Sequence, residues 1–167
     1  MRATPLTIIS PIRWWWRPWV RFTWLVARYL PLVAAPLRRL AFIHFARWAL
    51  MPRRRMLFLT SFDGSDIQYI EAFVRVVPGR INGLYRGAKG FPGPRRFGPV
   101  ARYIEDHSHP VDHFWMAHPE ASTRMVSQAL ALVSAYDLFE SRLDGADDAQ
   151  AFAREWRLFL TVSQGLL

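Results

Sequence analysis

Between Arg13 and Tyr29 the chain is almost wholly apolar and aromatic, broken by arginines at 13, 17, 21 and 28. At about 100° per residue those four fall in one sector roughly 80° wide. The spacing predicts a helix with a narrow basic stripe and a broad aromatic face, with Pro18 in the first turn, where its missing N–H costs nothing. Two runs, Leu40 to Leu50 and Met56 to Phe62, are rich in apolar residues and read as strands. Met51-Pro52-Arg53-Arg54-Arg55 is a charged turn that would join them as a hairpin. Ser65 with Gln68 forms a capping box for a helix that buries Ile67, Ile70, Phe73, Val74 and Val77 and stops at Pro78-Gly79. A third strand is expected over 81–86, a Gly/Pro-rich connection over 87–98, a short helix over 98–106 and a fourth strand over 112–117. Met125, Ala129, Leu132, Tyr136, Phe139 and Leu143 then repeat at helical spacing, from a cap near Ser122 to a stop at Asp144-Gly145. A last helix over 148–164 carries Phe152, Trp156, Phe159 and Leu160 on one side. The pattern predicts an α+β sandwich with helices on one face of an antiparallel or mixed sheet.

Charge divides the chain further. The formal net charge is +9, but residues 1–62 hold eleven arginines, six tryptophans and no acid. Asp63 is the first acidic residue, and the part after position 62 is slightly negative. We therefore expect a basic, Trp-rich extension at 1–39 and an α+β domain at 40–167. The start resembles no secretory signal, since Pro5 and Pro11 break its apolar run and no small-x-small site follows. Arginines interrupt every window long enough to span a bilayer. What remains is a helix lying in the membrane interface, with indoles at headgroup level and guanidinium groups on lipid phosphate. The residues that would do this are Arg13, Trp14, Trp15, Trp16, Arg17, Trp19, Arg21, Phe22, Trp24 and Arg28. Nucleic acid is not the expected partner, because a contiguous apolar face gains nothing from a phosphate backbone. The expected location is peripheral, on the cytoplasmic face of the cell membrane, with an anionic surface as the partner.

Three segments carry a resemblance: Ile43-His44-Phe45-Ala46-Arg47-Trp48, Leu57 through Ser65 (LFLTSFDGS), and Tyr69-Ile70-Glu71-Ala72-Phe73. Over roughly 40–143 the chain resembles a mainly actinobacterial family, uncharacterised in activity, with IHFARW and LLFxSNFDGS motifs. Ser61 stands where that group commonly has Asn. The resemblance implies a ferredoxin-like, dimeric α/β-barrel fold, and so a homodimer or larger membrane complex. It also implies the alternative function, a small oxidoreductase of the haem-peroxidase or monooxygenase kind. No catalytic residues come with the group.

Candidate chemistry is sparse. There is no cysteine, which excludes disulfides and thiolate metal sites. His44, Asp63 and His113 are the catalytic candidates. Against them, an Asp before Gly commonly makes a tight turn, and a strand histidine is commonly a hydrogen-bonded structural one. No metal site and no cofactor are expected, haem belonging only to the alternative reading. The residues point first to a membrane-surface accessory or interaction protein.

Overall fold

The computed structural model describes residues 3–30, 40–143 and 148–166. The apolar stretch at 31–37, Arg38, Arg39 and the helix stop at Asp144-Gly145 lie outside them. The fold is α+β, with a four-stranded antiparallel sheet and helices, as the residue pattern predicts. The chain forms two compact units, residues 1–120 and 121–167.

The first unit opens on strand β1 (Ala3–Pro11). A 3-10 turn (Trp14–Trp16) leads into helix α1 (Arg17–Tyr29). Strands β2 (Ile43–Met51) and β3 (Arg55–Asp63) form the expected hairpin. Helices α2 (Asp66–Val76), α3 (Pro78–Tyr85) and α4 (Phe97–His107) follow, and the two-residue strand β4 (Ser108–His109) completes the sheet. The order across the sheet is β2-β3-β1-β4, antiparallel throughout. This is the connectivity of a split β-α-β unit, compatible with a ferredoxin-like sandwich.

β1 therefore lies inside the sheet. Leu6, Ile8 and Ser10 are buried at a period of two, with Ile12 continuing the series. Pro5 and Pro11 flank the two residues that pair with β4, so on that side a missing N–H breaks no ladder bond. Residues 3–30, in the stretch expected as an extension, thus supply one strand and the helix that crosses back to β2.

Two expected strands take other forms. Residues 81–86 fall in and just after α3, where Pro78 sets the first turn. Ile81 and Tyr85 are buried four residues apart, a helical rather than an alternating period. Residues 112–117 form no strand, and the fourth strand is the short pair at 108–109, drawn in by Thr7 and Ile8. The Ser65 cap forms as expected, its hydroxyl accepting from the Gln68 amide at 3.4 Å.

The core joins the helix-facing side of the sheet to α1–α4. Phe62 is fully buried and stacks on Tyr69 with ring centres 4.0 Å apart. Trp48 lies on Phe58 at 4.7 Å. Gly87 seats the Trp16 indole so closely that an added Cβ would overlap the ring. The neighbouring backbone is stitched to the end of β1 through Arg13 N–H to Gly87 O at 2.9 Å and Lys89 N–H to Pro11 O at 2.8 Å. The loop therefore has little freedom to retreat. Gly87→Ala should cost about 1–3 kcal/mol, the usual range for overpacking a tight contact. Urea unfolding checks this: a midpoint equal to that of the parent would show that the contact yields freely.

The second unit holds helices α5 (Thr123–Leu143) and α6 (Ala149–Ser163). Phe139 is its buried centre, with Phe152, Trp156 and Phe159 around it at 5.3–6.0 Å. Met125, Tyr136 and Leu160, expected on buried faces, are exposed. Two helices alone can bury only one narrow seam between them.

Candidate functional site: a basic, aromatic surface around the first helix

α1 divides into three sectors. At about 100° per residue, Thr23, Ala27, Val20 and Trp24 share one side. Val20 has no exposed surface, and Trp16 and Trp24 pack against the core. Arg28 and Arg21 lie next around the wheel, both exposed. The third sector is apolar and faces outward. It holds Leu25, Tyr29, Phe22 and, at its far edge, Trp19, all of them exposed. Tyr29 shows 70 % of its surface and Trp14, just before the helix, 66 %. Folding thus uses only one side of the aromatic girth. An exposed greasy stripe beside an arginine stripe remains.

The first turn of the helix is fixed from two sides. Trp19 Nε1 donates to Gly83 O at 3.3 Å, tying α1 to α3. Arg17 Nη1 donates to Met51 O at 3.2 Å, tying the start of α1 to the end of β2. Ile12 N–H donates to Arg54 O at 2.8 Å. These contacts bring the tip of the β2–β3 hairpin, with exposed Arg53, Arg54 and Arg55, to the end of the molecule that carries Trp14 and Trp15. The Arg13 guanidinium lies 5.7 Å from the Trp15 ring centre, a cation–π contact. The loop bonded to Pro11 and Arg13 adds exposed Arg86 and Lys89. The basic surface is therefore assembled from three separate segments. Sequence reading placed Arg53–Arg55 on a turn but did not connect them with the tryptophans. That link depends on pairing across the sheet.

Arg53 and Arg54 both have left-handed backbones, with φ of 56° and 59°. That conformation costs an L-residue about 1 kcal/mol or more, and glycine or asparagine normally takes it. Two arginines here hold charge at the tip against local backbone preference. Strain of this kind concentrates at functional positions.

The catalytic candidates sit elsewhere. β2 bulges between Ile43 and Phe45, and His44 is the residue at the irregularity. A bulge re-aims a side chain. Here His44 Nε2 reaches Asp63 Oδ1 at 2.8 Å, both groups being mostly buried. Gly64 follows with φ 104°, and Thr4 Oγ1 donates to its carbonyl at 2.8 Å. The pair thus clasps the start of β2 to the end of β3, beside a glycine-dependent turn. His113 is exposed on a segment without regular structure. His107 Nδ1 is bonded to the Tyr103 carbonyl at 2.8 Å. Among the described residues, no three or more His, Asp or Glu side chains converge as a metal site would require.

Comparison with protein families, with characterised proteins and with solved structures finds no match to this chain. The surface around α1 must therefore be judged by its own chemistry. Among the described residues, no helix is long and apolar enough to cross a membrane. The α1 surface has the other arrangement that lipid accepts, apolar rings on one side and guanidinium groups along the margin.

Proposed function

We propose that this protein is a peripheral membrane protein that docks on an anionic lipid surface through α1, the Trp14–Trp15 corner and the β2–β3 hairpin tip. The observation that carries this reading is the exposed stripe of Leu25, Tyr29, Phe22 and Trp19, which the fold leaves uncovered beside Arg21 and Arg28. A helix kept only for packing would turn such residues inward. Each basic group near an anionic leaflet contributes about 1 kcal/mol, and aromatic rings add apolar burial at the headgroup level. A nucleic-acid surface would use the arginines but would leave the aliphatic part of the stripe in water. Basic surfaces favour the anionic cytoplasmic leaflet, which is the location we assign. The attached domain then serves as an accessory or interaction module held at that surface.

Haem chemistry is a poor fit to these residues. Among the described residues, those lining the cavity between sheet and helices include no histidine, methionine or charged side chain to ligate iron or pair with propionates.

Sedimentation with vesicles tests the proposal. At about 0.1 M salt, where screening acts over roughly 10 Å, the protein should pellet with vesicles rich in phosphatidylglycerol. It should stay largely in the supernatant with pure phosphatidylcholine. Protein remaining soluble beside the anionic vesicles would refute the reading.

A further inference from the structure

A cavity of about 490 Å³ lies between the sheet and the helices of the first unit. Its floor includes Ile8, Trp48 and Phe58, and α2 and α4 close its sides with Phe73 and Tyr103. The volume falls within the range of small-molecule sites. Among the described residues, no Asp, Glu, Lys, Arg or His lines it.

The walls are not uniformly apolar. Tyr69, Tyr103, Trp24 and Trp48 all line the cavity with buried polar atoms that make no well-formed hydrogen bond among the described residues, the Trp48 indole lying beside the Tyr85 hydroxyl. Thr60 lies beside Tyr69 and Ser10 beside Tyr103. Thr60 gives its own proton to the Phe45 carbonyl at 2.9 Å but keeps its lone pairs, as Ser10 does, so each phenol has an acceptor oxygen of the protein nearby, while the Trp24 indole has none among the described residues. Buried polar groups are normally satisfied, and each exception needs an explanation. Indole N–H groups only donate, and a phenol donates readily. The unmet need, clearest at Trp24, is for acceptor oxygens. Scattered single donors on apolar walls hold water poorly, since a buried water needs several polar partners.

The opening has its own character. Of the lining residues, Trp19, Phe22 and Gly79 are exposed, which puts the mouth at the seam between α1 and α3. Gly79 and Gly83 are one turn apart on α3, and a Cβ at either would meet nothing within 4 Å. Neither glycine puts a side chain into the seam. Its rim, Trp19 and Phe22, belongs to the stripe proposed to face lipid.

We infer that this cavity binds a neutral, apolar molecule bearing carbonyl oxygens, drawn from the bilayer through the seam between α1 and α3. A quinone ring and the ester groups of an uncharged acylglycerol share this chemistry. The described lining, which offers no charged residue, favours an uncharged ligand over carboxylates and phosphates. The entry route rests on the membrane-surface reading, but the binding site does not.

Binding can be read without membranes, by quenching of intrinsic tryptophan fluorescence with two soluble probes, menadione and dioctanoylglycerol. Saturable binding of menadione assigns a quinone, and of dioctanoylglycerol an ester lipid. Gly79→Leu/Gly83→Leu fills the seam and improves helix propensity, so folding should survive. It should weaken binding at least about tenfold, equivalent to about 1.4 kcal/mol, while vesicle sedimentation is unchanged. Tyr69→Phe/Tyr103→Phe removes two hydroxyls that make no well-formed hydrogen bond. It should leave the unfolding midpoint unchanged or higher, yet weaken binding severalfold. No saturable binding of either probe, or equal binding by both variants, would overturn the inference. Saturable binding by a protein that ignores anionic vesicles would support the cavity and defeat the membrane reading alone.

Discussion

Replacing Arg53 by Asn and Arg54 by Gly should make the protein more stable and its membrane attachment weaker at the same time. Both positions have left-handed φ values, 56° and 59°. Asparagine and glycine adopt that backbone with less strain, so the hairpin should gain about 1 kcal/mol or somewhat more. Two lost positive charges near an anionic leaflet should remove about 2 kcal/mol of attraction, roughly a 30-fold drop in vesicle affinity. Adding Arg55→Ser should extend the loss to about 160-fold. The contact of Ile12 with the Arg54 carbonyl is a backbone one and survives the change. Urea midpoints and sedimentation isotherms measured on the same preparations decide the matter. Should affinity stay constant while stability rises, the arginines merely occupy a solvated turn, and the hairpin is no part of the docking surface.

The second large effect is alkaline. Tyr69, Tyr85 and Tyr103 all hold their protons more tightly than an ordinary phenol, whose value is 10.0. Burial is the main cause for each. At Tyr85 the nearby phenols Tyr69 and Tyr103 add to it, since ionised rings would repel. Hydroxyls of Thr60 and Ser10, and the Trp48 indole, offset only part of the shift. The sign follows from linkage. Above about pH 10 the unfolded chain releases these protons while the native state keeps them, so the unfolded state binds fewer and stability falls as pH rises. The three slopes have the same sign and add, Tyr69 carrying the clearest shift. Below the ordinary phenol range the three contribute no slope. Urea midpoints followed from about pH 8 to pH 11 should be level with respect to these groups and then drop steeply. Phenylalanine at all three positions should flatten the drop. A parent protein whose midpoint is unchanged at pH 11 would mean the phenols ionise freely in the native state. That would also remove the case for a dry, apolar cavity around them.

The two effects draw on opposite faces of α1. Trp24 and Val20 look inward to the cavity and core, Trp19 and Phe22 stand at the cavity's rim, and Tyr29 and the arginines look outward. On the proposed reading, one helix would serve as both the wall of a pocket and the rim of a docking surface. That coincidence would give a lipid-phase ligand a short way in.

Much of this was readable from local pattern. Local pattern sufficed for the β2–β3 hairpin, the Ser65 cap, the α1 helix and the aromatic seam at Phe139, because each depends on residues a few positions apart. The sandwich class followed from their order. Other features depend on partners far along the chain. Ala3–Pro11, with its two prolines, is a strand because β3 and β4 lie on either side of it, Ile9 facing Leu57 and Thr7 facing His109. Residues 78–85 are a helix because Pro78 starts one and Ile81 and Tyr85 bury together, which overrides a weak strand pattern. The gathering of Arg53–Arg55 beside Trp14 needs the Arg17–Met51 and Ile12–Arg54 bonds, spanning tens of residues. The cavity has no linear signature at all, since aromatic residues at helical spacing look the same whether they fill a core or line a void. Periodicity reports which side of an element is apolar. Only the assembled chain decides what that side meets: protein, lipid or an open space.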